Sequence, residues 1–299
     1  MQKLQLKERL YFIGDVHARH SKLINLLEVI DFDSNNSNSS AKNEQLVFIG
    51  DLIDSVPDCV SEHLTLLNHV ESLVKSNHAF CLLGNHEFNA IGWATQKGQG
   101  NWARPHTDNN RNQHNAFLEA VEEGSKEHER WITWFKSLPL FLDFEAVKAI
   151  HACWDEQVIE RIKPYLNPDN SLKEAHWLDA FDETHELFTL CETLLKGPER
   201  QLPAEQAFKD KTGKIRTQKR IEWWADSAYK ESIVPIVIGH YTLSGLPKAL
   251  SQKVVCVDYN AAKGDNPLVC CQFELVPADK SLLATNNPFY YSNKLKQMA

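Results

Sequence analysis

RLYFIGDVH (Arg9–His17), QLVFIGDLID (Gln45–Asp54) and AFCLLGNHE (Ala79–Glu87) decide the fold of this chain. Each is a short apolar run that breaks at a glycine and is followed at once by a carboxylate or an amide. A continuous apolar run bounded by a turn signal reads as a strand buried on both faces. Between the first two runs lies His20–Ile30, with Leu23, Ile24, Leu26, Leu27 and Ile30 at helical spacing. Between the second and third, Val60–Val74 places Leu64, Leu66, Leu67, Val70 and Leu73 in the same manner. The order strand–helix–strand–helix–strand predicts an α/β fold with a parallel sheet and helices packed on it. Such a sheet collects its ligands beyond the carboxyl ends of the strands, and that is where Asp15, Asp51 and Asn85 stand.

Outward from this unit the pattern continues. Asp33–Asn43 is polar and low in complexity, a loop. Thr95–His114 shows no apolar periodicity and reads as a long polar loop. Helical segments follow at Ala116–Glu123 and Glu127–Phe135, and Pro139 marks a break. Leu140–Phe144 and Val147–His151 look like a strand pair. Residues 154–232 read as a mostly helical insertion, with Trp223 and Trp224 near its end. Ile233–Ile238 is a further strand that ends at Gly239-His240, and Lys253–Val257 and Leu268–Leu275 read as closing strands. The polar tail after Asn286 is expected to fray. The 299 residues are expected to form a single domain, residues 1–299, with insertions near 95–138 and 154–232.

Composition narrows the function classes. Hydrophobic residues make up 42% and charged residues 24%, enough to fill a core. A net charge of −8 argues against a general nucleic-acid binder, which would present a basic face. A phosphate can still be held on an acidic protein where bound cations dominate the local field. No apolar run is long enough to span a bilayer, and Met1–Leu10 has no signal-peptide core. The seven cysteines are odd in number and contain no CxxC, so they are expected to be buried free thiols in a reducing compartment. The cytoplasm is the expected location.

Five polar motifs carry the chemistry: Gly14-Asp15-Val16-His17, Gly50-Asp51-Leu52-Ile53-Asp54, Gly84-Asn85-His86-Glu87, His151 and Gly239-His240. Asp15 and His17 are one residue apart, so in an extended turn both side chains can reach one ion. Asp51 has two carboxylate oxygens and can bridge two ions. Asn85 adds an amide oxygen, and His151 and His240 add ring nitrogens. Any one of these motifs alone is better read as a turn or a hydrogen-bonded histidine. Five of them in order, each at a strand end, read as a ligand set for two divalent metals. Oxygen and nitrogen donors without thiolate favour manganese, with iron, zinc or cobalt as alternatives.

These motifs resemble the calcineurin-like metallophosphoesterase superfamily. The Gly239-His240-Tyr241 ending is most similar to its phosphoprotein-phosphatase and diadenosine-tetraphosphatase branch. The resemblance covers Leu10 to about Leu275. It implies a four-layer α/β/β/α sandwich with the metals at the edge between two sheets. It implies that Asp15, His17 and Asp51 hold one metal, and that Asp51, Asn85, His151 and His240 hold the other. It further implies His86 as the general acid, Asp54 as the carboxylate that orients it, and attack on phosphorus by a metal-bridging hydroxide. An aspartate partner would favour the imidazolium form of His86. The implied activity is a phosphatase acting on phosphomonoesters, phosphoproteins among them. Hydrolysis of a dinucleoside polyphosphate, with Trp102 and Arg104 gripping the nucleotide, is the alternative, and a non-catalytic metal-bound scaffold is the alternative of another class.

The sequence departs from the family pattern at two places. Ser55 stands where the family's protein phosphatases carry an arginine, and Ala152-Cys153 replaces a Gly-Gly after the histidine. Another guanidinium must then grip the phosphate. Arg104 and Arg111 are the first candidates, with Arg19 and the Arg216/Arg220 pair behind them. Lys196–Arg220 holds eight Lys or Arg against three acidic residues, the charge of a lid over an anionic substrate or of a solvated insertion.

Overall fold

The computed structural model describes residues 8–32, 43–54, 57–98, 100–209, 215–229, 232–274 and 289–292. Ser55, the Asp33–Asn43 loop up to residue 42 and most of the tail lie outside them. The three apolar runs are strands β1 (Arg9–Ile13), β2 (Glu44–Phe48) and β3 (Ala79–Cys81), parallel and adjacent, with Ile13 beside Phe48 and Phe48 beside Cys81. Helices α1 (His20–Val29) and α2 (His63–Lys75) make the two crossovers. A second sheet holds β4 (Phe141–Asp143), β5 (Lys148–Ile150), β6 (Ile236–Ile238) and β7 (Val254–Cys256) in the order β7-β6-β5-β4, the first three of these parallel. Strand β8 (Val269–Glu274) returns antiparallel to β1. The expected fraying tail instead supplies β9 (Phe289–Tyr291), which pairs with β8 and is anchored by Tyr290 Oη donating to Gln272 Oε1 at 2.9 Å.

Period-two alternation builds the layers. Leu10 and Phe12 of β1 face a core shared with Val47, Ile49, Leu142, Ala149, Val237 and Val255, which lies between the two sheets. Tyr11 and Ile13 point the other way, into a core with Leu23, Leu26 and Leu27 of α1 and Leu66, Leu67 and Val70 of α2. Ile236, Ile238, Val254 and Cys256 of the second sheet likewise turn to the helix side. The result is the expected α/β sandwich, two mixed sheets face to face with helices outside. Its consequence for function is directional. Strands β1, β2 and β3 are parallel, as are β5 and β6, so Asp15, Asp51, Asn85, His151 and His240 all emerge from strand carboxyl ends.

Three local readings are corrected. Asn85 opens a helix, α3 (Asn85–Ala94), whose first turn is closed by the Glu87 carboxylate accepting Gly84 N–H at 3.1 Å. Thr95–His114 is not one loop. It contains a short hairpin, Gln96–Gly98 with Asn101–Trp102, and the first half of α4 (Asp108–Val121). Thr107 caps α4 by accepting the Asn110 N–H at 3.2 Å. Its first two turns are polar because, apart from half-buried Asn110 and buried His114, they are exposed rather than packed on the apolar core. The buried apolar residues Ala116, Phe117, Leu118 and Val121 begin only after His114. Helix α5 (Lys126–Lys136) follows as expected. The 154–232 segment carries α6 (Glu156–Ile162) and α7 (Glu186–Lys196), but its second half is a β arm. There Gln218–Arg220 pairs with Glu199–Gln201, and a shorter pair joins Phe208–Lys209 to Ile215–Arg216.

Candidate metal centre

The site is assembled by loops under tight backbone control. His17, Asp51, Asp54 and His240 all adopt positive φ, between 49° and 65°, a region L-residues enter only when the surroundings hold them there. Glycine makes the approach possible. A Cβ on Gly84 would lie 2.1 Å from Asp51 N and 2.3 Å from Asp51 Oδ1. A Cβ on Gly239 would lie 2.2 Å from Asp15 Oδ1. The loops after β2 and β3, and those after β1 and β6, therefore approach this closely only because these two positions carry no side chain.

Asp51 lies at the centre. Its Oδ1 accepts the His86 N–H at 2.9 Å and is 3.4 Å from His151 Nε2, and its Oδ2 is 3.8 Å from His86 Nε2. Two groups of potential ligand atoms share it: His17, Asp51 and His86 in one, Asp51, His151 and His240 in the other. Burial works against its charge, but His151 and His86 outweigh burial and hold Asp51 well below the usual carboxylate range. The Asn85 amide sits inside the second group, 2.6 Å from His240 Nδ1, 3.1 Å from His151 Nε2 and 3.2 Å from Asp51 Oδ2. His151 and His17 each turn Nδ1 to a backbone carbonyl, of Ile49 at 2.8 Å and Ile53 at 3.2 Å. That contact sets the tautomer and leaves Nε2 as a lone-pair donor.

Asp15 stands close behind. Its Oδ2 accepts the His240 N–H at 3.0 Å, while its Oδ1 is buried without a hydrogen-bond partner among the described residues. His240 Nε2 is buried and unpartnered in the same sense. Burial and the charges of Asp258 and Asp51 push Asp15 well above its ordinary range. Burial and the neighbouring His151 and Arg220 push His240 well below its own. The donor set fits divalent metal: convergent carboxylate, amide and neutral imidazole lone pairs with little to satisfy them except a cation. The structure thus places Asp51 between two candidate metal positions, a dinuclear arrangement. His86, not Asp15, completes the group that contains His17.

Three buried residues that the sequence reading passed over support this centre. Glu87 is fully buried and accepts backbone N–H groups of Asp51 at 2.9 Å, Leu52 at 2.8 Å, Ile53 at 3.1 Å and Gly84 at 3.1 Å. It pins the β2 loop to the β3 loop. Burial and Asp51 raise its pKa to about 7. Asp258, past the end of β7, accepts the N–H groups of Thr242 at 2.6 Å and Asn260 at 2.9 Å and so fixes the loop after His240. Both had a signal, as a carboxylate at the end of a motif or an apolar run. His114, at the end of the stretch read as a polar loop, had none. It is buried on α4 with Nδ1 2.6 Å from Asp54 Oδ2.

The remaining expected residues fall as follows. Asp54 is buried, and its Oδ1 accepts the Phe117 N–H at 2.9 Å. Its charge reaches His86 and favours the imidazolium, but burial prevails and holds His86 below its ordinary range. Arg104 is half-buried beside Asp54, its guanidinium donating to Asn110 Oδ1 at 3.3 Å and Gln113 Oε1 at 2.9 Å, with no ion pair among the described residues. Arg111 is drawn away: it donates to Glu123 Oε2 at 2.8 Å and lies over Trp93. Arg19 donates to the Ala262 carbonyl at 2.6 Å. Arg220, at the root of the β arm, is exposed, with no ion pair among the described residues. It lies 5.6 Å from the Tyr241 ring, and its charge acts on His240. Trp102, His106 and Trp93 stack in a column, with ring centroids 4.6 Å and 3.6 Å apart.

The comparisons agree with this geometry. The sequence profile of the family described as Calcineurin-like phosphoesterase matches residues 8–271. The chain belongs to that family, and two candidate metal positions share its Asp51. Among curated proteins, it is 37% identical over 81 residues to a symmetrical bis(5'-nucleosyl)-tetraphosphatase of Buchnera aphidicola subsp. Baizongia pistaciae (strain Bp). The match covers 27% of this chain and about a quarter (24%) of that protein. Two crystal structures of a cold-active protein tyrosine phosphatase share the fold at 16% identity. One has a TM-score of 0.53 and covers 90% of this chain and 78% of the other. The second has a TM-score of 0.50 and covers 90% and 76%. No helix among the described residues is long and apolar enough to cross a membrane.

Proposed function

We propose that the chain is a dinuclear metal-dependent phosphatase that hydrolyses phosphomonoesters, phosphoproteins among them. The observation that carries this reading is Asp51, shared by two groups of potential ligands, one of which includes His86. Asp15, His17 and Asp51 would hold one metal, and Asp51, Asn85, His151 and His240 the other. Manganese suits these donors, with iron, zinc or cobalt as alternatives. When bound, the pair supplies an activated water and neutralises charge on the phosphate oxygens. The chain's own residues do the rest. His86 gives its proton to the departing oxygen. Arg104 and Arg220, both without ion pairs among the described residues, grip the non-bridging oxygens from opposite sides of the chain order and replace the arginine missing at Ser55. Arg111, already paired with Glu123, is the weaker candidate. Six buried free thiols among the described residues suit a cytoplasmic location.

A second reading, hydrolysis of a dinucleoside polyphosphate, draws on two observations. One is the tetraphosphatase relative; the other is the half-buried Trp102 stacked on His106, two residues from Arg104, where a base could lie. A panel on the manganese-loaded protein separates the readings. It sets p-nitrophenyl phosphate and a phosphopeptide against diadenosine tetraphosphate and a phosphodiester. Faster turnover of the monoesters supports the phosphatase. Preference for the dinucleotide transfers the assignment to the second reading, and turnover of none of them leaves a metal-bound scaffold.

A further inference from the structure

The loop between β7 and β8 is held by a cation from the other sheet's first helix. Lys22, in the first turn of α1, donates its ammonium to three backbone carbonyls of that loop: Ala261 at 2.7 Å, Gly264 at 2.8 Å and Asn266 at 2.7 Å. That is one acceptor for each of its N–H groups. Arg19, just before α1, donates to the Ala262 carbonyl from Nε at 3.0 Å and from Nη2 at 2.6 Å. Two cations at a helix N-terminus, with no acidic residue in the first turn, run against the helix dipole. Their place is therefore set by the loop they bind and not by the helix. From this loop, hydrogen bonds lead to the metal centre. Asp258 Oδ1 accepts the Asn260 N–H at 2.9 Å and its Oδ2 the Thr242 N–H at 2.6 Å, while its carbonyl accepts the Leu243 N–H at 2.9 Å. Thr242 follows His240 by two residues, and both sit at positive φ, 48° and 65°. On the other side, the approach to α1 is tied to the β2 loop. The N–H groups of Val16 and His17 reach the Asp51 carbonyl at 3.1 and 2.9 Å, and that of Ala18 reaches Leu52 at 2.6 Å.

We propose that Lys22 is a positioning residue for the His240 metal position: its ammonium, seated among three carbonyls as a built-in cation, holds residues 258–266 against α1 and, through Asp258, sets His240 relative to Asp51. The inference rests on His240 as a ligand of one ion of a two-metal centre. It adds that a residue outside every metal motif acts on that ion and not on the other. His17 lies on the α1 side of the clamp, and its backbone bond to Asp51 does not pass through Lys22. His240 lies on the far side, where the loop after it depends on Asp258.

The test is a calorimetric titration of the full chain with manganese, which reads each ion without reference to activity. Lys22→Ala is expected to weaken one ion by about tenfold, the low end for losing a contact that orients a ligand, and to leave the other within about twofold. Propylammonium supplies the atoms that the alanine lacks and should restore most of that affinity. Tetramethylammonium carries the charge but no N–H and should not; an equal response to the two cations would overturn the proposal. In His240→Ala, which removes that metal position, adding Lys22→Ala should change the remaining affinity by less than about twofold, and a tenfold loss there would sink the idea. A merely structural lysine predicts a lower Tm with both ions bound as in wild type, or both weakened alike, and either result would overturn the proposal. If the Ala variant does not fold, Lys22→Met, which keeps the apolar stem, decides by itself. Selective loss of one ion supports the proposal, and unchanged or evenly weakened binding refutes it. A wild-type chain that takes up fewer than two manganese ions would refute the two-metal reading and this inference with it, whereas two ions bound normally by Lys22→Ala refute the inference alone.

Discussion

The loops after β1, β2 and β6 and the segments 101–114 and 197–225 hold their functional groups by different means. In the first region position is written into the backbone. His17, Asp51, Asp54 and His240 sit at positive φ, Gly84 and Gly239 leave no room for a Cβ, and Glu87 ties four backbone N–H groups to one carboxylate. In the second region side chains hold side chains: Asn110 and Gln113 hold Arg104, Glu123 holds Arg111, and the Tyr241 ring lies under Arg220. Metal ligands must agree within a few tenths of an ångström, which backbone strain can enforce. Substrate contacts can be redrawn by changing one side chain on an exposed loop. The difference teaches that the chemistry of this chain is rigid and its specificity adjustable.

That contrast can be broken, and the severest blow falls on the rigid region. Asp51→Asn should lower kcat on the order of 10⁴-fold, because it weakens both ligand groups at once. Gly84→Ala, with its Cβ 2.1 Å from Asp51 N, should weaken metal binding 10- to 100-fold by roughly the measure of a lost supporting contact. Calorimetric manganese titrations read both, and wild-type affinity in Gly84→Ala would show the loop to be more yielding than argued. His86→Ala comes next, about 10²- to 10⁴-fold on phenyl phosphate. The sign of its pH dependence follows from burial, which holds His86 below 6.5. The proton is present below that pKa and gone above it. Activity on phenyl phosphate should therefore climb as pH falls below about 6.5, and a pH–rate profile should lose that limb in His86→Ala. An unchanged limb would assign it to another group.

The adjustable region should respond less. Arg104→Ala and Arg220→Ala should each lower kcat/KM by about 10- to 100-fold, the worth of a charge-assisted hydrogen bond of about 1.5–3 kcal/mol. Arg111→Ala should change it by less than about threefold, since its charge is already engaged by Glu123. Steady-state kinetics of the three variants sharpen the comparison. An Arg111 effect as large as that of Arg104 would mean that the Glu123 pair opens when substrate arrives.

Much of the rigid region was legible because each candidate ligand sits at the end of an apolar run, and a strand end is a local signal. The helix at Asn85 and the hairpin and α4 within Thr95–His114 were not. Their polar residues face the site or solvent, so no apolar period records them. The β arm escaped for a related reason: residues 199–201 and 218–220 are exposed on all sides, and their pairing is a matter of backbone hydrogen bonds alone. Trp223 was visible as an aromatic near the end of the insertion. That its indole donates to the Ala152 carbonyl at 3.0 Å, beside His151, was not.

By itself the sequence determined the strand–helix order and the identity of the carboxylates, amide and imidazoles that gather at the strand ends, while the two-sheet sandwich came through the family resemblance that those motifs carry. Those follow from short-range patterns: apolar runs, glycine breaks and the residue next in line. Only the tertiary structure decided which carboxylate lies between the two ligand groups, that Glu87 clamps the loops, that Arg111 is spent on Glu123, and that His114 meets Asp54. Each of those is a contact across 12 to 60 residues. Such contacts exist only once burial has packed the helices on the sheets, and nothing in the neighbouring residues records where a buried polar group will find its partner.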